Sequence, residues 1–325
     1  MTLEFILDSF DALSNDWKQL QKISPISFIF STPEWSEVWW QQFGAEYTLY
    51  LGSVKKDEKI IGIAPLYIKD NTAFFIGSSD TCDYLDFIVA PGEEYIFFNT
   101  LLDNLAKDRI TQLNLAPVRP DSTVFNYLSN IANQKGLPVS FCQEDVSLEM
   151  NLPETWKEYL LLLSRKQRHE LNRKLRRFEE IGEVNHRLSI DTQSRDIDIF
   201  LNLFRESRED KAAFLTPEMD SFFRSLANTM AKTDYLRLNL MELNKIPIAA
   251  TLCFDFRNTM YLYNSGYNTE YSWLSAGIIS KALCIKDSIE KGKKSFDFLK
   301  GNEEYKYHLG GKEISIYRYF LILTT

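Results

Sequence analysis

One order of elements is written twice along this chain, and few folds accommodate it. Thr32-Pro33-Glu34 reads as an N-cap, a helix-tolerated proline and an acid favoured by the helix dipole, and predicts a helix to about residue 43. Segments 47–54, 60–68 and 72–77 read as three meandering strands around the turns Lys56-Asp57-Glu58 and Asp70-Asn71. A short apolar run (85–89), a helix (92–107), a strand (110–115), a helix (122–135) closed by Gly136 and a strand (138–150) complete the half.

The second half begins with two capping boxes, Thr155-x-x-Glu158 and Ser164-x-x-Gln167. They predict a short helix that breaks at Ser164 and a longer one running to Ile181, with Gly182 as its stop. Leu171, Leu175 and Phe178 form one apolar stripe on the longer helix. A helix over 196–209 follows, and Thr216-Pro217-Glu218 repeats the start signal of the first half. Segments 235–243, 246–256 and 259–263 are again a three-strand meander, with alternation at Leu236, Leu238 and Leu240. Then come a helix (276–290) stopped at Gly292, a strand (296–299), a short helix around Tyr305 and a closing strand (314–323). The repeated order predicts an α+β protein of two domains, each a mixed, mostly antiparallel sheet flanked by helices. Its 325 residues exceed the roughly 250–300 at which one core stops growing. Asn151-Leu152-Pro153 interrupts strand-like sequence, so the domains are placed at 1–152 and 153–325.

Charge divides the chain as the elements do. Residues 1–150 hold 10 Lys/Arg and 21 Asp/Glu, a net of −11, whereas 151–325 hold 27 and 24, a net of +3. Seven bases lie in Arg165 to Arg177 (RKQRHELNRKLRR) beside one acid, Glu170, so an anionic ligand is drawn to the second half. Four cysteines without a CxxC pair and three histidines without ligand spacing predict neither a zinc site nor a disulfide framework. No apolar run approaches the roughly 18 residues of a membrane span. The opening MTLEFILDSFDALSND carries acids where a signal peptide carries Lys or Arg, so a cytoplasmic protein with reduced thiols is expected.

Several segments resemble a known family. The meander, the helix behind it and the following strand–helix–strand resemble the GNAT N-acyltransferase fold, and their duplication resembles the Fem-type aminoacyl transferases. Ile61-Gly62-Ile63-Ala64-Pro65-Leu66-Tyr67, Cys82-Asp83-Tyr84-Leu85-Asp86-Phe87 and the LP-x-x-W-x-x-YL-x-x-L run from Leu152 to Leu163 are similar to CelD-type acetyltransferases of cellulose biosynthesis. So are the Arg-rich helix and Phe296-Asp297-Phe298-Leu299-Lys300-Gly301 with Tyr305-Lys306. The resemblance spans the chain from about Thr32. It implies an acyl-CoA donor, acetyl-CoA in the first instance, and an amine or hydroxyl acceptor: a small molecule or a saccharide or peptide precursor. It implies neither metal nor DNA, and a tRNA only if the donor is aminoacyl-tRNA as in Fem-type enzymes.

The resemblance places the donor pyrophosphate at Leu274-Ser275-Ala276-Gly277-Ile278, where helix N–H groups lack partners. GNAT domains carry a basic or Gln residue and two glycines there; this chain keeps only Gly277, with Ser275 and Ala276 as small neighbours. The same residues also read as an ordinary Ser-capped helix start, which leaves a non-catalytic binding protein as an alternative. A tyrosine beyond the fifth strand protonates the leaving thiolate in the GNAT fold, which the resemblance assigns to Tyr305, with Tyr307 nearby; Lys306 is implied as the charge stabiliser and, at about 100° per residue, cannot share one direction with Tyr305. Asp83 and Asp86 read either as cleft residues, one a general base, or as turn-forming aspartates. Arg165, Arg168 and Arg176, with Arg173 and Arg177, read as a phosphate-recognising face or as a solvated one. Cys82 has no histidine near in sequence and is not expected to be a nucleophile.

Overall fold

A computed structural model describes residues 2–189 and 195–323. It divides into two compact units. One takes the described residues up to Val146 and from Ile314 onward, and the other takes Ser147–Glu313.

The first unit opens with strand β1 (Leu3–Leu7) and helix α1 (Phe10–Ile23), neither foreseen from the sequence. The Ser9 hydroxyl caps α1 by accepting from the Ala12 amide, and Leu13, Trp17 and Leu20 bury its i, i+4, i+7 face. Helix α2 (Pro33–Phe43) starts at Thr32 as the cap signal predicts, with the Trp35 amide donating to the Thr32 hydroxyl. The meander is β2 (Thr48–Lys56), β3 (Lys59–Lys69) and β4 (Thr72–Phe75), and the short β5 (Ile88–Val89) lies off β3. Helix α3 (Glu94–Lys107) leads to β6 (Gln112–Val118), parallel to β4. The next predicted helix is in two pieces, a π-helical stretch Val124–Leu128 and α4 (Ser129–Gln134), before β7 (Val139–Asn151). Trp17, Trp35, Tyr84, Phe87, Phe97 and Phe98 are fully buried and form an aromatic core.

In the second unit both capping boxes are formed, at α5 (Trp156–Leu162) and α6 (Arg165–Glu179). Strand β8 (Val184–Ser189), absent from the sequence reading, and helices α7 (Arg195–Ser207), α8 (Glu209–Phe214) and α9 (Pro217–Lys232) follow. The antiparallel meander is β9 (Leu236–Leu243), β10 (Ile246–Phe256) and β11 (Thr259–Tyr267), with β8 on its outer edge. Helix α10 (Ala276–Glu290) crosses to β12 (Ser295–Lys300), parallel to β11, and the short α11 (Glu304–His308) precedes β13 (Lys312–Ile322).

Both units therefore share one strand pattern, an antiparallel meander whose last strand pairs in parallel with the strand after the crossover helix. Their closing strands are exchanged. Reading along the chain makes β7 the last strand of the first unit and β13 the last of the second. The structure sets β13 against β6 and residues 147–151 of β7 against β12, both antiparallel. A strand belongs to the sheet with which it shares hydrogen bonds, and neither strand's composition encodes its partner. Among the described residues no helix is long and apolar enough to cross a membrane.

Candidate active site

The N-terminus of α10 is anchored in a hydrophobic cluster of the second unit. Leu274, Ala276 and Ile279 pack with Phe178 of α6 and with Met241, Ile248 and Ala249 of β9 and β10. Burying side chains such as Phe178 and Ile279 stabilises by about 1.5–3 kcal/mol each, enough to fix where the helix starts. Ser275 precedes it in the left-handed region (φ 59°, ψ 34°), and its side chain makes no capping bond, so the start is not an ordinary serine cap. The Ser275 carbonyl accepts from the amides of Ile278 (2.9 Å) and Ile279 (3.1 Å). The first amides of a helix have no acceptor within it, and among the described residues those of Ala276 and Gly277 find none outside it. A Cβ on Gly277 would lie 3.0 Å from the Tyr267 ring, so glycine lets β11 approach this closely.

Strands β11 and β12 pair only from Thr259↔Ser295 to Tyr261↔Asp297, although both continue further. A bulge accompanies the end of pairing: Leu252 faces Asn264 and Cys253 faces Leu262, leaving Tyr263 unopposed. Beyond it, β11 keeps β10 on one side and, among the described residues, no strand on the other. A cavity of about 380 Å³ opens there. Ser265 and Tyr267 of β11, Ser275 to Ile278 and Lys281 of the α10 segment, Arg208 and Lys211 around α8, and Glu303 and Tyr305 around α11 line it. Gly266 explains how α8 arrives: a Cβ there would lie 2.3 Å from the backbone of Leu203 and Phe204, so α7 rests directly on β11 and carries Arg208 and Lys211 to the rim.

The cavity wall holds more positive than negative charge. Lys281 is buried; its ammonium donates to the Gly277 carbonyl (2.8 Å) and stands 4.7 Å over the Tyr305 ring. Burial pulls its pKa down to about 7, with the Lys211 charge adding to the effect. Lys211 donates to the Ser265 carbonyl, lies 4.8 Å over the Phe204 ring, and is pulled down to about 8, again mainly by burial. Arg208 is held in a two-pronged pair with Asp210 (2.9 and 2.7 Å). Glu303 is the single carboxylate among the lining residues. Burial raises its pKa, but the charge and hydrogen bond of Lys306, 2.9 Å away, outweigh that and leave it below the usual carboxylate value. Burial pushes the Tyr305 hydroxyl well above its ordinary value, so it keeps its proton at neutral pH.

Ser275, Ala276, Gly277, Ile278 and Tyr305 thus meet in one cavity. Lys306 does not line it. Its buried ammonium donates to the carbonyls of Leu299 (2.9 Å), Lys300 (2.5 Å) and Gly301 (3.1 Å) and pairs with Glu303, fastening the end of β12, where Leu299 has φ +64°. That cage makes Lys306 a positioning residue for Glu303 and Tyr305. The Tyr307 hydroxyl donates to Glu313. Arg165 and Arg168 line a separate depression of about 700 Å³ with Lys166 and His169, and Arg168 also reaches the Leu160 carbonyl (3.4 Å). Arg176 is exposed in the last turn of α6, Arg173 pairs with Glu170 (2.7 Å), and Arg177 lies 5.1 Å over Trp273. A third hollow, of about 260 Å³, shares Lys166 and Glu170 with that depression and Ile278 with the α10 cavity, so the basic face leads towards it.

Asp83 and Asp86 belong to the first unit. Asp86 is buried and accepts from the Thr123 amide (2.8 Å), the Thr123 hydroxyl (2.6 Å) and the Phe87 amide (2.9 Å), the bonding of a structural aspartate. Asp83 is half-buried. Among the described residues no group of three His, Cys, Asp or Glu is placed to hold a metal ion. Lys281, Lys211, Arg208 and Glu303 were not singled out from the sequence. Lys281 was within reach, because i+4 from Gly277 puts it on the same helix face. Lys211 and Arg208 are brought in by long-range packing and left no local signal.

This geometry agrees with a match found for the sequence itself. Residues 165–307 match the acetyltransferase (GNAT) domain. The matched span runs from the start of α6 to α11 and contains the whole cavity wall. No curated protein sequence matches the chain. The solved structure of FemX is 13% identical, over 97% of this chain and 96% of that one, with a TM-score of 0.68. A conserved protein of unknown function from Bacteroides thetaiotaomicron VPI-5482 is 10% identical over 99% and 100%, with a TM-score of 0.62. A tandem GNAT protein from the clavulanic acid biosynthesis pathway, solved without acetyl-CoA, is 12% identical over 100% and 99%, with a TM-score of 0.54. At such identities the likeness is one of fold: a GNAT-like α+β architecture with tandem GNAT neighbours.

Proposed function

We propose that the GNAT domain transfers an acyl group from acyl-CoA, acetyl-CoA in the first instance, to an amine or hydroxyl acceptor by direct attack. The observation that carries this reading is the pair of unpartnered amides, Ala276 and Gly277, opening onto a cavity that also holds Tyr305 and Glu303. Free helix-start amides fit a phosphate, and the positive charge of Arg208 and Lys211 on the same cavity wall fits an anionic ligand. The unpaired edge of β11 offers main-chain groups to an extended arm.

Bound acyl-CoA supplies a thioester carbonyl. The amides of Ala276 and Gly277 hold its pyrophosphate, and Lys211, mostly charged at neutral pH, supplies positive potential in the cavity. Glu303, ionised at neutral pH, takes the proton from the attacking amine or hydroxyl, and Tyr305 donates its own to the departing thiolate. Lys306 holds the turn that carries both. Arg165 and Arg168 provide charge for an anionic acceptor along the basic face of α6.

Calorimetric titration of acetyl-CoA into wild-type protein and Gly277→Asp tests the reading. Gly277→Asp places a carboxylate at the phosphate position and is expected to abolish binding while melting remains cooperative; equal affinity in the two proteins removes the donor from α10.

A further inference from the structure

Three lysines approach the cavity region with buried or largely buried ammonium groups, and their partners differ. Lys306 is held by three carbonyls and Glu303. Lys211 donates to the Ser265 carbonyl at the rim. Lys281 is the one among them that is both deeply buried, at 6% exposed, and held by a single backbone carbonyl, that of Gly277. Among the described residues no carboxylate lies within ion-pair distance of it. Buried lysines are usually paired with an acid, because an unpaired ammonium out of water is penalised heavily. The neutral amine escapes that penalty, and its lone pair is then free, since the Gly277 carbonyl occupies only an N–H.

We propose that Lys281 is itself an acyl acceptor, taking the acyl group of a thioester bound in this cavity and retaining it as an amide. The inference rests on the donor site argued above. Its nitrogen stands 4.7 Å over the ring of Tyr305, the residue assigned to thiol protonation, in the same cavity. The amine nitrogen bonds to the acyl carbon, the carbon–sulfur bond breaks, and the thiolate leaves with the proton that the nitrogen gives up. Two further facts favour the step. Burial brings Lys281 down to about 7, so much of it is neutral near pH 7. The product amide also removes the charge that burial opposes. A lysine amide is too stable to pass its acyl group on, so the product is a lasting mark of one acyl group per chain.

The test uses the full chain and acetyl-CoA, with intact mass, peptide mapping and calorimetric binding measured on one preparation. The expected result is a single acetyl group on Lys281, formed about fivefold faster than on Lys211, which at about 8 is roughly one-tenth neutral at pH 7 against about half of Lys281, and faster by a far larger factor than on exposed lysines. Its rate rises with pH through about 7, a value set first by burial and then by the charged and titratable groups that face it, Lys211, Cys284, Cys253 and Glu303, with the Tyr305 ring beneath. Lys281→Met loses the adduct, and mapping of the wild-type chain settles the site whether or not that variant folds. Binding of acetyl-CoA without acetylation of Lys281, or acetylation spread over surface lysines, overturns self-acylation and leaves the donor site standing. Absence of binding overturns both.

Discussion

Replacing Lys306 by methionine removes an ammonium and keeps most of its volume, and the structure sets the cost. Three carbonyls, those of Leu299, Lys300 and Gly301, lose their donor together, and Leu299 keeps its left-handed φ of 64° without the bonds that hold it. An orphaned buried carbonyl costs about 1–3 kcal/mol. The Leu299 bond is buried and the other two are partly buried, where water partly replaces the lost donor. The sum is therefore about 3–4 kcal/mol. For a unit the size of Ser147–Glu313 each kcal/mol moves Tm by about 2–4 °C, so Lys306→Met is expected to melt roughly 6–15 °C below wild type. Circular dichroism melting reads this directly. Turnover, measured well below the new Tm, is expected to fall because Glu303 and Tyr305 lose their footing. A Tm within about 1 °C of wild type, coupled to a roughly 10²–10³-fold loss of turnover, refutes the cage and returns Lys306 to the reacting centre as an oxyanion stabiliser.

Other consequences can be checked alongside. Tyr305→Phe keeps the ring beneath Lys281 and removes only the proton, so kcat is expected to fall by roughly 10²–10³ with acetyl-CoA affinity unchanged; full turnover removes Tyr305 as the acid. Asp86→Ala strands the buried Thr123 amide and hydroxyl and is expected to cost about 2–4 kcal/mol in urea denaturation with no change in acetyl-CoA binding. A lost affinity in an equally stable protein would make Asp86 part of the site. The pKa of Lys281 is lowered on folding, so between about pH 7 and the unfolded value near 10.5 the unfolded chain binds more protons, and stability rises with pH across that window. Lys281→Met is expected to flatten this rise, and parallel stability profiles for the two proteins would show that folding does not lower the pKa of Lys281.

What the sequence made legible is what neighbouring residues decide among themselves. The boxes at Thr155/Glu158 and Ser164/Gln167 close within three residues, so they could be read and they formed. The small residues 275–277 at the start of an apolar helix are a local signal too, although Ser275 opens that helix with its backbone rather than its hydroxyl. The resemblance assigns Lys306 as a charge stabiliser, and the turn of about 100° from Tyr305 that the sequence already implies points its side chain into the carbonyl cage at the end of β12 instead. Arg208 and Lys211 depend on α7 lying flat against Gly266, a contact between segments about 60 residues apart. No window of sequence reveals that kind of contact. The same limit hid the exchange of β7 and β13, since strand pairing is a long-range choice.

That exchange decides how the protein can be taken apart at the bench. A fragment cloned from Pro153 to the end would leave β12 with a bare edge where residues 147–151 belong, and would trail β13 without β6 to receive it. Open strands of that kind recruit one another, and such a fragment is a candidate for inclusion bodies. A gene fragment running from Ser147 to Glu313 keeps residues 147–151 against β12 and drops most of β13, so the cloning limits should follow hydrogen bonds rather than chain order.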